Sequence, residues 1–211
     1  MAQPDWTEAV EHIKHNDKRL AVWMERIGPP NGHGRDKHTI FYSLLRSIIY
    51  QQLAGSAASA ILGRVDALCP EGRMTPEFIV AASDELLRSA GLSRNKMLAL
   101  RDLAAKTLDG TVPTARAIAR MSDETVIEHC TQVRGIGRWT VEMLLMFRLG
   151  RPDVLPLDDY GVRKGFQIVY KMSDLPTKQQ MIKRAEKWRP WRTVGCWYMW
   201  RIVESVPRAK K

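Results

Sequence analysis

Apolar residues recur three or four positions apart along almost the whole chain, and no segment alternates apolar and polar residues as a half-buried strand does. That spacing predicts an all-α fold of about ten helices. The first begins at Asp5, whose side chain caps while Glu8 reaches back in a capping box. It carries Val10, Ile13 and Leu20 through Met24 and stops at Gly28-Pro29-Pro30. The stretch over 28–36, rich in Gly, Pro and Asn, reads as a loop. A long helical region runs from about Thr39 with Phe41, Leu44, Leu45, Ile48 and Ile49 on one face. It breaks near Leu53 to Ser56 and restarts up to Leu68. Thr75-Pro76 and Ser83 open two more helices by N-cap and first-turn preference, the second ending at Gly91. Another covers 94–106. Ser122, followed by Asp123 and Glu124, starts a helix through Cys130, the acids suiting its positive end. After Gly135-Ile136-Gly137 a helix covers 138–149, and one from Asp158 or Asp159 runs through Tyr170. The last two cover about 177–188 and 191–206, and the tail 207–211 is expected to be mobile.

Composition narrows this picture. The 211 residues fit one ordinary domain, or two small lobes sharing a cleft, and allow a real core. Hydrophobic residues at 45% and charged residues at 27% exclude a disordered chain. No apolar run approaches the roughly 18–20 residues that span a bilayer, and the start, MAQPDWTEAV, lacks the layout of a secretion signal. A soluble intracellular protein is expected. Cys69, Cys130 and Cys196 are odd in number and far apart, which argues against disulfides, a zinc knuckle or a four-thiolate cluster. His12 and His15 are three apart but form no metal-ligand pattern with a carboxylate. The balance of 33 Lys and Arg against 23 Asp and Glu gives a charge of +10. That points to a polyanionic partner, with nucleic acid ahead of an acidic membrane because no helix sets a basic face opposite a clean apolar one.

Three segments carry candidate chemistry. In Val133-Arg134-Gly135-Ile136-Gly137-Arg138-Trp139-Thr140, two glycines around one apolar residue allow a tight hairpin, because Gly tolerates positive φ. Ile136 plugs between the flanking helices, and the amides opening the second helix face outward, where Arg134 and Arg138 add charge for a phosphate. An ordinary αα-hairpin accounts for the glycines equally well. In Leu155-Pro156-Leu157-Asp158-Asp159-Tyr160-Gly161-Val162, a helix with Val162, Phe166 and Val169 on its buried stripe begins at the acids. One Asp is a plain N-cap on that pattern; alternatively it is a carboxylate held ionised to stabilise a cationic sugar in a transition state. The third segment holds Trp188, Trp191, Trp197 and Trp200. Most of these rings belong in a core, while one indole can line a pocket where a flat base stacks.

Together and in this order, the three segments resemble the helix-hairpin-helix DNA glycosylase superfamily, in particular its 3-methyladenine DNA glycosylase II branch. The resemblance covers about Asn16 to Arg201. It is strongest at GIGRWT, LPLDDYGV and WRPWRT…YMW, with IIYQQLAGSAASAI and GLSRNKMLALRDLA also similar to family segments.

The resemblance implies one glycosylase domain over 1–211, with one lobe at about 36–150 and the other from 1–35 plus 151–211. It implies no additional N-terminal β domain. The family's essential aspartate falls on Asp159, leaving Asp158 as a helix-capping or structural neighbour. The hairpin around Gly135, Ile136, Gly137, Arg138 and Thr140 grips DNA phosphates. Leu53 aligns with the residue wedged into the duplex, with Gln51 and Gln52 beside it at the opened pair. Trp139 and Trp200 line the base pocket together with Met143, where some relatives carry an aromatic residue. Relatives usually have Pro at the position of Arg134. No cofactor is expected, although similar proteins often hold a monovalent cation on hairpin carbonyls, here near Thr131, Val133 and Ile136. Relatives that also cut the DNA backbone carry a lysine where Trp139 stands, and Trp cannot form a Schiff base. The implied activity is therefore a monofunctional glycosylase releasing alkylated purines from damaged duplex DNA. It would act as a monomer, away from membranes, in the bacterial cytoplasm and nucleoid or in a eukaryotic nucleus. Deaminated or oxidised purines are the alternative substrates, and a non-catalytic DNA-binding module is the alternative class.

Overall fold

The computed structural model describes residues 6–30, 38–69 and 74–207. The expected cap at Asp5, most of the predicted loop over 28–36, and the tail beyond Pro207 lie outside them. Among the described residues the chain is all helical. In chain order come α1 (Trp6–Asn16), α2 (Lys18–Ile27), α3 (Ile40–Tyr50), α4 (Gly55–Ala67), α5 (Pro76–Ala81) and α6 (Asp84–Ser89). There follow α7 (Arg94–Leu108), α8 (Ala115–Ile118), α9 (Asp123–Cys130), α10 (Arg138–Met143), α11 (Tyr160–Tyr170), α12 (Lys178–Ala185) and α13 (Arg192–Ser205). A π-helical stretch, Leu144–Arg148, continues α10, and a 3-10 turn, Glu186–Trp188, continues α12. None of these helices is long and apolar enough to cross a membrane.

The starts follow local chemistry. Thr39, Thr75, Ser83, Ser93, Ser122 and Thr177 each accept a first-turn amide on the side-chain oxygen, satisfying a donor the helix cannot. The count exceeds the ten expected for two reasons. The first predicted helix is two, divided at Asp17, which caps α2. The four-residue α8 is too short to show periodicity. The predicted helix over 138–149 is α-helical only to Met143; the consecutive apolar residues Leu144 to Phe147 do not fix a 3.6-residue register, and the backbone widens into the π form there.

The chain divides into two compact units, Met1–Asp36 with Leu145–Lys211, and Lys37–Leu144. In the second unit α3 packs on α7, α7 on α5, and α9 on α10. The predicted stripe of Phe41, Leu44, Leu45, Ile48 and Ile49 is buried with Ile79, Leu100 and Leu103. Each fully buried Leu or Ile there contributes about 1.5–3 kcal/mol. In the first unit α11 packs on α13, and α2 on both. Its core holds Ile13, Leu20, Val162, Phe166, Trp188 and Tyr198, all without measurable exposure.

One carboxylate ties this first core together. Asp17 is fully buried. Its Oδ1 accepts the Leu20 amide at 3.1 Å, and its Oδ2 accepts the Tyr170 hydroxyl and, at 2.9 Å, the Trp188 indole N–H. The Lys187 ammonium lies 3.1 Å from the same Oδ2. Burial alone raises the carboxyl pKa, but the hydrogen bonds and Lys187 outweigh it and hold Asp17 below its ordinary value. A depressed folded-state pKa contributes stability above the unfolded value, roughly 3.9, that is lost as pH falls through the folded one. Asp17→Asn should cost about 2–3 kcal/mol near neutral pH. The gap between wild type and variant in urea unfolding should narrow as pH falls below ~4; a gap that stays constant with pH would assign the stability to shape rather than charge.

Candidate active site

Asp159 ends the loop that leads into α11. That loop is pinned to the start of α13 by Thr193, whose amide donates to the Pro152 carbonyl at 2.9 Å and whose hydroxyl accepts the Val154 amide at 3.1 Å. Asp153 adds an ion pair with Arg192. Asp159 is the N-cap of α11, and its Oδ1 accepts the Val162 amide at 2.7 Å and the Trp200 indole N–H at 2.9 Å. The positive helix end and the indole dipole both favour negative charge on that oxygen. Capping and a candidate chemical role thus fall on the same residue. Asp158, expected as a possible cap, instead forms an exposed pair with Lys178 at 2.6 Å.

Two glycines make room for this arrangement. A Cβ at Gly165 would stand 2.7 Å from both the Cα and the carbonyl oxygen of Met199, so α11 and α13 touch backbone to side. A Cβ at Gly161 would meet the Trp200 ring at 2.6 Å and Asp159 Oδ1 at 3.2 Å. Phe147, 39% exposed in the π-helical stretch, stacks at 5.7 Å from the Trp200 ring. Tyr160 beside Asp159 is 66% exposed. Gly161 and Phe147 were not singled out from the sequence. A Gly beside a helix-capping acid was the only available signal for the first.

The second unit brings another group together. Gln51, Gln52, Gly135, Trp139, Thr140 and Met143 line one pocket of about 510 Å³ with Arg46, Ser47 and Tyr50. The last three were missed, although Arg46 and Tyr50 are four apart on the polar side of α3, and the guanidinium sits 4.5 Å over the tyrosine ring. Trp139 is half exposed. Leu53 is not among the lining residues; it stands 38% exposed in the turn between α3 and α4, following Gln52, whose φ is 60°.

The hairpin between α9 and α10 follows the sequence expectation only in part. Gly135 has φ 80°, but Gly137 has φ −95° and ψ 168° as the N-cap of α10, so only Gly135 needs a left-handed backbone. A Cβ on Gly137 would meet nothing within 4 Å, and its bare backbone is open to approach. Ile136 is buried as the expected plug, which leaves only its backbone for DNA. Arg138 is not a bare cation: its Nη atoms donate to both oxygens of Glu124 at 2.8 and 2.7 Å, and its Nε donates to Glu142 at 3.1 Å. The Glu124 hydrogen bonds push its pKa further up. Gln51 donates to the Gly135 carbonyl at 2.8 Å, so one of its N–H groups holds the hairpin. Backbone carbonyls are hard neutral donors that suit an alkali cation. The Val133 carbonyl accepts the Ile136 amide at 3.0 Å, which leaves its second lone pair for another partner.

Gly161→Ala should push the Trp200 indole off Asp159 while leaving the protein folded. The indole N–H resonance of Trp200, assigned by comparison with Trp200→Phe, should then move to a non-bonded shift; an unmoved resonance would mean the ring does not depend on that glycine.

Residues 45–190 match the HhH-GPD superfamily base excision DNA repair protein family. The chain is 37% identical over 207 residues to DNA-3-methyladenine glycosylase 1 of Schizosaccharomyces pombe, covering 97% of this chain and 90% of that one. The structure of the 3-methyladenine DNA glycosylase Mag1 from that yeast, solved in complex with abasic DNA, superposes with a TM-score of 0.82 at 35% identity, covering 96% of this chain and all of the other. DNA-3-methyladenine glycosidase from Bacillus halodurans gives a TM-score of 0.86 at 35% identity over 97% and 92% of the two chains. A helical hairpin, a capping aspartate under an indole and these likenesses along nearly the full length agree: the chain belongs to the HhH-GPD superfamily of base excision DNA repair proteins.

Proposed function

We propose that this protein is a monofunctional DNA glycosylase that releases purines alkylated at N3 or N7 from duplex DNA and leaves an abasic site. The observation that carries this is the Asp159 carboxylate, fixed at the start of α11 with Trp200 donating to it. The relatives named for 3-methyladenine release and the neighbour solved on abasic DNA support it.

The steps follow from the residues. Leu53, an exposed apolar side chain on a turn, fills the space left when the damaged nucleotide swings out of the stack. The outward amides around Gly135 and Gly137 grip the strand's phosphates. A monovalent cation on the carbonyls of Thr131, Val133 and Ile136 would add positive charge to that grip. Trp200, beside Asp159, offers an electron-rich face to a purine made cationic by alkylation, worth about 0.5–2 kcal/mol. In the second unit Trp139 presents a like face in a pocket that Met143 also lines. The bond from C1′ to the purine nitrogen breaks with its electron pair leaving on the base, which becomes neutral. The sugar becomes an oxocarbenium-like cation. Asp159 stabilises that cation and orients a water, whose oxygen bonds to C1′ as its proton passes to the carboxylate and from there to solvent. Because the base departs as a neutral molecule, no second carboxylate is needed as acid. Trp139 supplies no amine, so no Schiff base forms and the backbone stays intact.

Asp159→Asn should lower release of 3-methyladenine and 7-methylguanine, read by chromatography of freed bases, by about 10²-fold or more. Duplex binding should stay within about threefold. Normal turnover by that variant would remove Asp159 from the mechanism, and release of hypoxanthine or oxidised purines in place of the methylated ones would move the activity to a sister class. Borohydride should trap no covalent adduct with DNA, either for wild type or for Trp139→Lys; an adduct with wild type would overturn the hydrolytic assignment.

A further inference from the structure

α7 holds both elements assigned to DNA. Near its start, the Lys96 ammonium donates to the carbonyls of Ile49 and, at 3.0 Å, Gln51, at the C-terminal end of α3. Farther along, Asp102 Oδ2 accepts the backbone N–H of Arg134 at 2.7 Å and the Lys106 ammonium at 2.8 Å. Lys106 also donates to the Gln132 carbonyl. The third side is closed by Gln51, which donates to Gly135 at 2.8 Å. The turn carrying Leu53 and the hairpin around Gly135 are therefore each fastened to one helix and to each other.

Neither element holds such a shape unaided. Gln52 has a left-handed φ of 60°, disfavoured for a residue with a Cβ, and Leu53 behind it is exposed. The last carbonyls of α3 have no helical partner, and a cation there satisfies them. Lys96 gives up part of its hydration to do so, and burial pushes its pKa down. The bond to Asp102 requires an N–H at position 134, which proline lacks.

We infer that Lys96 and Asp102 are positioning residues for base opening, fixing the Leu53 turn and the phosphate-gripping hairpin at a set spacing along the damaged strand. This rests on the assignment of turn and hairpin to DNA in the preceding subsection.

The test uses the full chain and a duplex in which 2-aminopurine neighbours a 2′-fluorinated 7-methylguanosine, whose glycosidic bond resists cleavage. Wild type should raise the fluorescence as it opens the stack. Lys96→Met should bind within about threefold of wild type yet give less than roughly half the rise, and Lys96→Arg, which keeps two donors, should restore it. On cleavable DNA, Lys96→Met should lose about tenfold in kcat with little change in KM for a paired lesion, and under threefold where the lesion faces an abasic analogue and no pair remains to be opened. Asp102→Asn should lower the fluorescence rise as well, and it decides the matter if Lys96→Met does not fold. A full rise with either variant, equal kcat losses on both substrates, or no rise with wild type overturns the inference. If wild type releases no methylated base, the glycosylase assignment fails, while the fluorescence still decides the role of Lys96.

Discussion

The close approach of α11 and α13 governs the chemistry of the first unit. Gly165 lets the two helices meet with no side chain between them at Met199, and Gly161 leaves space for an indole one turn nearer the helix start. Because the helices are that close, Trp200 reaches the same oxygen of Asp159 that accepts the Val162 amide. A carboxylate at a helix start is ordinary; one that is also bonded to a neighbouring helix keeps a single rotamer. Such fixing matters in a site where charge must be in place before the reaction begins, since a dipole that has to reorient costs energy at the moment it is needed.

The second unit solves a different problem with similar means. A turn and a hairpin are by nature the least rigid parts of a helical protein. Here they are fastened by groups that would otherwise be solvated, among them an ammonium on carbonyls and a carboxylate on a backbone amide. The buried Val133 and Ile136 anchor the hairpin, and hydrogen bonds to backbone groups hold what they leave free.

Helical periodicity made the core legible, and cap residues such as Thr39, Thr75 and Ser122 marked starts to the residue. That an acid opens α11 was legible from the apolar stripe behind it, while the choice of Asp159 over Asp158 came from the family resemblance alone. The double duty of that aspartate, as cap and as indole partner, was not legible, because Trp200 is 41 positions away. Arg138 shows the limit from the other side: its sequence neighbourhood suggested a cation for phosphate, and the acids that claim it stand 14 and four residues off. The split at Asp17 rests on a local cap, the Leu20 amide three residues on, but the partners that bury this acid, Tyr170 and Trp188, lie more than 150 residues away and left no mark in the sequence.

The paired state of Arg138 also bears on how such a protein finds its target. Each cation that engages a phosphate releases counterions and steepens the loss of affinity with salt by about one unit of slope. With the guanidinium at the head of α10 already paired with Glu124 and Glu142, the exposed Arg134 is the hairpin cation left to add such a unit, beside backbone dipoles that are short-ranged and release few ions.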